Sequence, residues 1–378
     1  MPLITCQFDS GAIEVVRSAT PDDIALCIRG DSHAAFAQWF HFRLQGARGQ
    51  ACTIRILNAG DCTYPAGWEG YQAVASHDRR HWFRVPTGYA DGVMTIRHTP
   101  ATDTVWYAYF EPYSWERHQD LLGRVGSLSG VRCQRLCQSA EGRDVDVLEV
   151  SGAVPGPRQV WVIARQHPGE SMAEWFVEGL LERLTDPADR VARELLERAM
   201  FHVVPNMNPD GSVRGNLRTS ATGANLNREW MEPSVERSPE VLAVRQRLQE
   251  TGVDFFLDVH GDEALPYVFL AGCEMLPGFT PEQARVQADF IADLKAASPE
   301  FQDRYGYAAD KYHQDALKLA SKWVGHATGC LSLTLEMPFK DNAHLPDPAV
   351  GWNGARSKTL GAALLVALLE HLRRLDGH

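Results

Sequence analysis

Two side chains that bind metals well stand three residues apart in WVIARQHPGES, where an apolar run ends and His167 and Glu170 follow, separated by Pro-Gly. An imidazole nitrogen and a carboxylate oxygen both suit zinc, and a Pro-Gly turn lets the two side chains converge on one ion. A His and a Glu at this spacing also arise by chance, so the pair alone assigns nothing. A third donor arrives in FFLDVHGDE, where a second apolar run ends at His260. Two histidines and one glutamate, with a fourth position left for water, form a known catalytic zinc set. The plainer reading of His260 is a strand cap with Asp258, Asp262 and Glu263 as solvated neighbours.

A third run, LSLTLEMPF, delivers Glu336 after alternating apolar residues, a poor place for a carboxylate chosen only for packing. Beside an activated water, such a group takes a proton and passes it to a leaving amine, the acid/base work that hydrolysis needs. The structural alternative is an ion pair with Lys340. Between the first two runs lies NMNPDGSVRGNLRTSATGANLNREW, carrying Arg214, Arg218 and Arg228 among asparagines and glycines. The guanidinium fork matches a carboxylate and Asn adds neutral donors, so this loop is a candidate anchor for a free peptide C-terminus. Surface arginines on a solvated loop are the ordinary alternative.

Taken in order, HPGE at 167–170, NPDG at 208–211, GNLR ending at Arg218, LNR at 226–228, His260 in DVHGD and Glu336 in TLEMPF resemble the zinc carboxypeptidases, the carboxypeptidase A-like metallopeptidases. Within them the chain is similar to the cytosolic carboxypeptidase-like branch, and the resemblance covers nearly the whole sequence. It implies one zinc ion on His167, Glu170 and His260, with Glu336 as general base. It implies that Arg218 polarises the scissile carbonyl and that Asn227 and Arg228 bind the terminal carboxylate of a peptide or protein substrate. The family's closing tyrosine is expected at Tyr312, 24 residues before Glu336, with Tyr305 and Tyr307 as alternatives. Lys311, Lys318 and Lys322 precede the catalytic glutamate, and a lysine facing the side-chain pocket would favour a terminal Glu or Asp, although lysines at helical spacing usually mark a solvent face. Two rival functions stay open here: a zinc deacylase of related fold acting on N-acyl amino acids, and a non-catalytic binding protein.

Positioning these residues requires two kinds of element. Up to about residue 115 the chain shows short β-forming runs, such as QWFHFRLQG and CTIRILNAG, broken by Gly, Asp and Pro, which predict a small antiparallel β-sandwich without a long helix. Beyond it, apolar strands alternate with helical stretches, as in RQVWVIAR then SMAEWFVEGLLERL, which predicts an α/β layer with a largely parallel sheet and its site at strand carboxyl ends; with the resemblance, the expectation is an α/β/α domain with a mixed, mainly parallel sheet. The expected division is 1–118 for the sandwich and 119–378 for the zinc carboxypeptidase domain, with YFEPYSWERHQDLL at 109–122 resembling the junction of that branch.

The bulk numbers fit a globular protein, with 44% hydrophobic and 22% charged residues. A formal net charge of −11 argues against nucleic acid or anionic membrane as partner. MPLITCQFDSGAIEVV lacks a basic start and an apolar core, so no secretory signal is expected, and LGAALLVALL is too short to span a bilayer. A cytoplasmic protein with eight reduced cysteines is the expectation. The one close pair, Cys133 and Cys137, has no second pair or histidine nearby to complete a structural zinc site.

Overall fold

A computed structural model of the chain describes residues 1–152, 155–274, 276–308 and 315–377. The first ten strands are β1 (Leu3–Thr5), β2 (Glu14–Thr20), β3 (Asp23–Cys27), β4 (His41–Gln45), β5 (Cys52–Ile56), β6 (Val74–Ser76), β7 (Trp82–Arg84), β8 (Thr87–Ala90), β9 (Val93–His98) and β10 (Thr104–Ala108). They pair into two five-stranded sheets, in the orders β1-β4-β10-β6-β7 and β2-β3-β5-β9-β8. All pairings are antiparallel except β3 with β5. Alternation explains the sandwich: Ile54 and Ile56 of β5 and Met94 and Ile96 of β9 are buried, and intervening residues face outward.

The remainder comprises α1 (Trp115–Gly126), β11 (Val131–Gln138), β12 (Asp144–Ser151), β13 (Arg158–Ala164), α2 (Met172–Leu184), α3 (Arg190–Leu196), β14 (Ala199–Val204), α4 (Pro209–Arg214), α5 (Pro239–Thr251), β15 (Phe255–Asp262), β16 (Phe269–Ala271), α6 (Pro281–Ala297), α7 (Ala320–Thr328), β17 (Leu331–Pro338) and α8 (Gly354–Leu375). Its seven strands run in the order β11-β12-β14-β13-β15-β17-β16. The four central strands β14, β13, β15 and β17 are mutually parallel, and the flanking pairings are antiparallel. The α/β/α architecture and the mixed sheet are thus as expected.

Every residue of β15 is buried, so period-2 alternation sorts its side chains between two covered faces. Phe255, Leu257 and Val259 join a core with α2, α6 and α8, whereas Phe256 joins a second core with α5 and α7. Asp258 and His260 share the Phe256 face. In β17, Leu333 and Leu335 likewise enter the larger core, leaving Thr334 and Glu336 opposite. Parallel pairing sets His260 directly beside Glu336 and Asp258 beside Thr334. The register alone therefore brings the candidate ligand and the candidate base to the same face and the same end of the sheet.

The two halves share the larger core. Tyr109 stacks on Phe339 with ring centroids 4.5 Å apart, and the half-buried Arg84 donates from Nη2 to the carbonyls of Phe339 (2.8 Å) and Trp352 (2.9 Å), both beyond β17. Among the described residues no helix is long and apolar enough to cross a membrane.

Candidate active site

Strand β13 ends at Ala164, and the next residue turns the chain sharply. Arg165 has φ +57°, a left-handed conformation that costs a non-glycine residue energy and persists only where the surroundings enforce it. Here they do: the buried guanidinium donates to Glu174 Oε2 (2.6 Å), the Tyr113 carbonyl (2.9 Å) and the Pro168 carbonyl (2.9 Å). The HPGE segment is thereby folded back over the strand end. Gly169 is favoured by close approach, because a Cβ there would lie 3.0 Å from the Leu217 carbonyl oxygen and 3.1 Å from Leu217 Cα, so the Leu217 backbone would have to give way.

His167, Glu170 and His260, all buried, each present one donor atom, and these atoms lie within 4.8 Å of one another. His167 Nδ1 is 2.7 Å from Glu170 Oε1, His260 Nδ1 is 2.7 Å from Glu170 Oε2, and the two Nδ1 atoms are 3.2 Å apart. The far side of each ring is also engaged: His167 Nε2 sits 3.1 Å from Asn225 Oδ1 and His260 Nε2 sits 2.8 Å from Asp258 Oδ2. An oxygen acceptor at each Nε2 lets that nitrogen carry the hydrogen when Nδ1 ligates a metal; with no metal charge between them, Asp258 and Glu170 raise the His260 pKa against the effect of burial. Asp258 is in turn held by Gln166 Nε2 (2.8 Å), whose Oε1 accepts from Trp230 Nε1 (2.9 Å). Burial, and after it the charge of Arg218, push His167 down to about 3, so it is neutral at physiological pH. Burial would raise Glu170, but the two imidazoles beside it hold its carboxyl well below the ordinary range. Two neutral-capable imidazoles and one carboxylate, converging and oriented from behind, fit a tetrahedral zinc ion.

Glu336 is buried, and its Oε2 has no hydrogen-bond partner among the described residues. Burial pushes its pKa up to about 8, with His260 pulling it down and Glu170 and Asp262 adding to the rise. An orphaned buried carboxylate oxygen beside a ligand cluster is costly for folding and calls for a functional explanation. Lys340, the ion-pair alternative, instead donates to the Glu69 carbonyl at 2.7 Å. Tyr307 Oη lies 2.9 Å from Glu336 Oε1 and 2.8 Å from Asp262 Oδ2. Tyr312 and Lys311 lie outside the described residues.

These groups line one cavity of about 600 Å³, together with Arg218, Asn227, Arg228, Glu263, Tyr307 and Lys322. Asn227 Oδ1 accepts from Ala320 N (2.8 Å), its Nδ2 lies 3.1 Å from His260 Nε2, and Arg228 Nη1 donates to the Asn227 carbonyl (2.6 Å). Arg214 is not in the cavity wall; its side chain pairs with Glu141 at the surface. Lys318 is likewise at the surface, 2.8 Å from Asp315, whereas Lys322 is half-buried in the cavity wall near Glu274. Asp258, Asp262 and Glu263, read as solvated in the plainer account of His260, are buried. The segment expected to be irregular contains the short helix α4, capped by Asn208 Oδ1 accepting from Gly211 N (3.1 Å), and Asn208 Nδ2 donates to the Gln166 carbonyl (3.0 Å). NPDG thus braces the ligand loop.

Family models cover most of the chain. Residues 128–351 match the zinc carboxypeptidase domain, and residues 4–110 match the cytosolic carboxypeptidase N-terminal domain. The chain belongs to the zinc carboxypeptidase family. It is a metallocarboxypeptidase of the cytosolic carboxypeptidase-like branch, hence a peptide hydrolase. A metallo-carboxypeptidase from Burkholderia cenocepacia is 57% identical, with a TM-score of 0.98 over 99% of this chain and 100% of that one. A metallo-carboxypeptidase from Pseudomonas aeruginosa, solved with (2-guanidinoethylmercapto)succinic acid, is 48% identical, with a TM-score of 0.94 over 98% of this chain and 100% of that one. Cytosolic carboxypeptidase 6 of Caenorhabditis elegans is 26% identical over 96% of this chain and 85% of its own length.

Two features of this carboxypeptidase site were not read from the sequence: Asn225 and Asp258 as partners behind the histidines, and Tyr64 of the N-terminal half in the cavity wall. Asn225 directly precedes LNR, and Asp258 stands two residues before His260 on the same strand face, a spacing that period-2 alternation makes legible. Nothing local in the sequence points to Tyr64.

Proposed function

We propose that this carboxypeptidase removes one residue from a peptide or protein C-terminus, using a zinc ion on His167, Glu170 and His260. Zinc at that position supplies Lewis acidity toward the scissile carbonyl and toward a water, and a positive charge that draws neighbouring carboxyl pKa values down. Glu336 takes a proton from the attacking water and delivers it to the departing amine. Arg218 donates to the carbonyl oxygen as negative charge develops there. Asn227 and Arg228, both in the cavity wall, hold the terminal carboxylate. Tyr307 takes the role expected of Tyr312, because its hydroxyl reaches Glu336 Oε1 at 2.9 Å. The observation that carries the reading is the convergence of three buried donors beside a buried carboxylate with an unpartnered oxygen.

The terminal residue removed is acidic in this reading, because Lys322 is the described lysine that lines the cavity. Burial lowers the Lys322 pKa and Glu274 and Cys273 raise it, so an acidic side chain there gains a cation with little water around it. The chain divides functionally at 118/119, within α1, into the sandwich and the zinc domain. Release of free amino acid from peptides ending in acidic, basic, aliphatic and aromatic residues, with and without chelator, tests all of this. Chelator-sensitive release favouring Glu or Asp is expected. Preference for basic termini would transfer the pocket's selectivity to Glu274, and cleavage of N-acyl amino acids but no peptide would replace the peptidase reading with a deacylase.

A further inference from the structure

The loop carrying Arg218 is held by the other half of the molecule. Asp31, in the turn after β3, is buried and accepts four hydrogen bonds from three consecutive residues: Leu217 N (2.6 Å), Arg218 N (2.8 Å), Thr219 N (2.9 Å) and Thr219 Oγ1 (3.1 Å). Its neighbours extend the grip. Ser32 N and Oγ each donate to Asn216 Oδ1 at 3.2 Å, and Arg29 donates to the Arg214 carbonyl. On the opposite side Gly169 N donates to the Leu217 carbonyl (2.8 Å), so residues 217–219 are pinned between the zinc-ligand loop and the sandwich. The side chain is placed from the same quarter. The Arg218 guanidinium carbon lies 5.8 Å from the ring centroid of Phe36 and 5.7 Å from that of Tyr64, both sandwich residues, and Tyr64 also lines the cavity.

We infer that Asp31 is a positioning residue for peptide hydrolysis: from the N-terminal sandwich it fixes the backbone of Leu217, Arg218 and Thr219, while Phe36 and Tyr64 aim the Arg218 guanidinium into the cleft. The physical case is preorganisation. A donor stabilises a developing oxyanion only if it is already in place, and an irregular loop has no ladder of its own to hold it. A single carboxylate collecting three adjacent backbone N–H groups supplies that order. The sandwich is then part of the catalytic device, not a cover for it. This rests on the proposed role of Arg218.

The test uses full-length zinc-loaded protein and the best peptide of the terminal-residue panel. Asp31→Asn keeps the volume but turns an amide donor toward backbone donors, and kcat should fall roughly 10- to 100-fold with KM within about twofold, as expected for a misplacement of about 1 Å. In an Arg218→Ala background the same change should cost less than about twofold, because Asp31 acts through that side chain. Phe36→Leu, which leaves the backbone bonds intact, should lower kcat several-fold and also lose its effect without Arg218. It carries the test if Asp31→Asn yields no folded protein. Unchanged kcat, a loss seen in KM alone, or losses that add in full to Arg218→Ala would overturn the inference. Full activity of Arg218→Ala itself would instead remove the role of Arg218 and the inference with it.

Discussion

One wall of the cleft is made by strands and the other by a loop, and the two are held in place by different physics. On the strand wall, His260 and Glu336 are register partners in adjacent parallel strands, and His167 and Glu170 follow directly from the neighbouring strand. Hydrogen-bond ladders with buried faces fix register strongly, because a one-residue slip would turn every apolar side chain to the wrong side. On the loop wall, between α4 and α5, Arg218 sits in irregular chain and Asn227 and Arg228 in a single 3-10 turn (Leu226–Arg228). Order there is borrowed, from Asp31 in the sandwich and from the Ala320 amide at the start of α7. The groups proposed to bind metal and move protons stand on the rigid wall, and those proposed to hold substrate and transition-state charge stand on the wall that other elements must order.

If that division holds, the largest effect should come from the strand wall. Glu336→Gln should lower turnover by roughly 10²- to 10⁴-fold while zinc content by metal analysis stays at one ion per chain. Substantial turnover in that variant would reassign the base. Next, on the loop wall, Arg218→Ala should lower kcat about 10²- to 10³-fold with little change in KM, the pattern of an interaction made in the transition state. Arg228→Ala should do the opposite, raising KM roughly 10- to 100-fold with kcat nearly preserved, since charge-assisted bonds to a terminal carboxylate are made before and during reaction. Identical kcat and KM signatures for the two arginines would erase the distinction between charge stabilisation and anchoring.

A smaller change should come from behind the strand wall. Asp258→Asn should weaken zinc binding about 10- to 100-fold in a competition titration with a chelator, whereas Asp31→Asn should leave zinc affinity as it is. Equal loss of zinc in both would mean that the two walls are not mechanically separate.

The last expected effect concerns stability instead of turnover and spans both halves. Burial holds His41 of the sandwich at about 3, and His202 and His371 of the catalytic sheet at about 4. Each is lowered from an ordinary value of 6.5, so the unfolded chain takes up the proton first. Their stabilising contribution is therefore complete above pH 6.5 and is lost as pH falls toward the folded-state values. Between pH 6.5 and 5 each should cost about 2 kcal/mol. Thermal melts over this range should show a falling Tm, with a flatter profile in His41→Gln and His371→Gln; a Tm independent of pH would mean that these rings are not buried in the neutral form.

Local chemistry and periodicity made much of this protein legible in its sequence. Ligand side chains at the ends of apolar runs need only a sheet whose strands finish together, and alternation along FFLDVHGD and LSLTLEMP already assigns His260 and Glu336 to one face each. The change from short alternating runs to strand-helix repeats separates sandwich from α/β/α domain, because the two periods cannot serve the same layer. What the sequence could not decide were choices among equivalent residues and contacts across long separations. Three tyrosines and three lysines precede Glu336; that Tyr307 reaches the Glu336 carboxylate and Lys322, on α7, lines the cavity depends on how these segments are laid against the sheet, which no periodicity encodes. Asp31 meets Arg218 across 187 positions, and Asn225 meets His167 across 58. Such pairs carry no mark in either local segment, since each is fixed by the packing of whole layers, and only the tertiary structure brings them together.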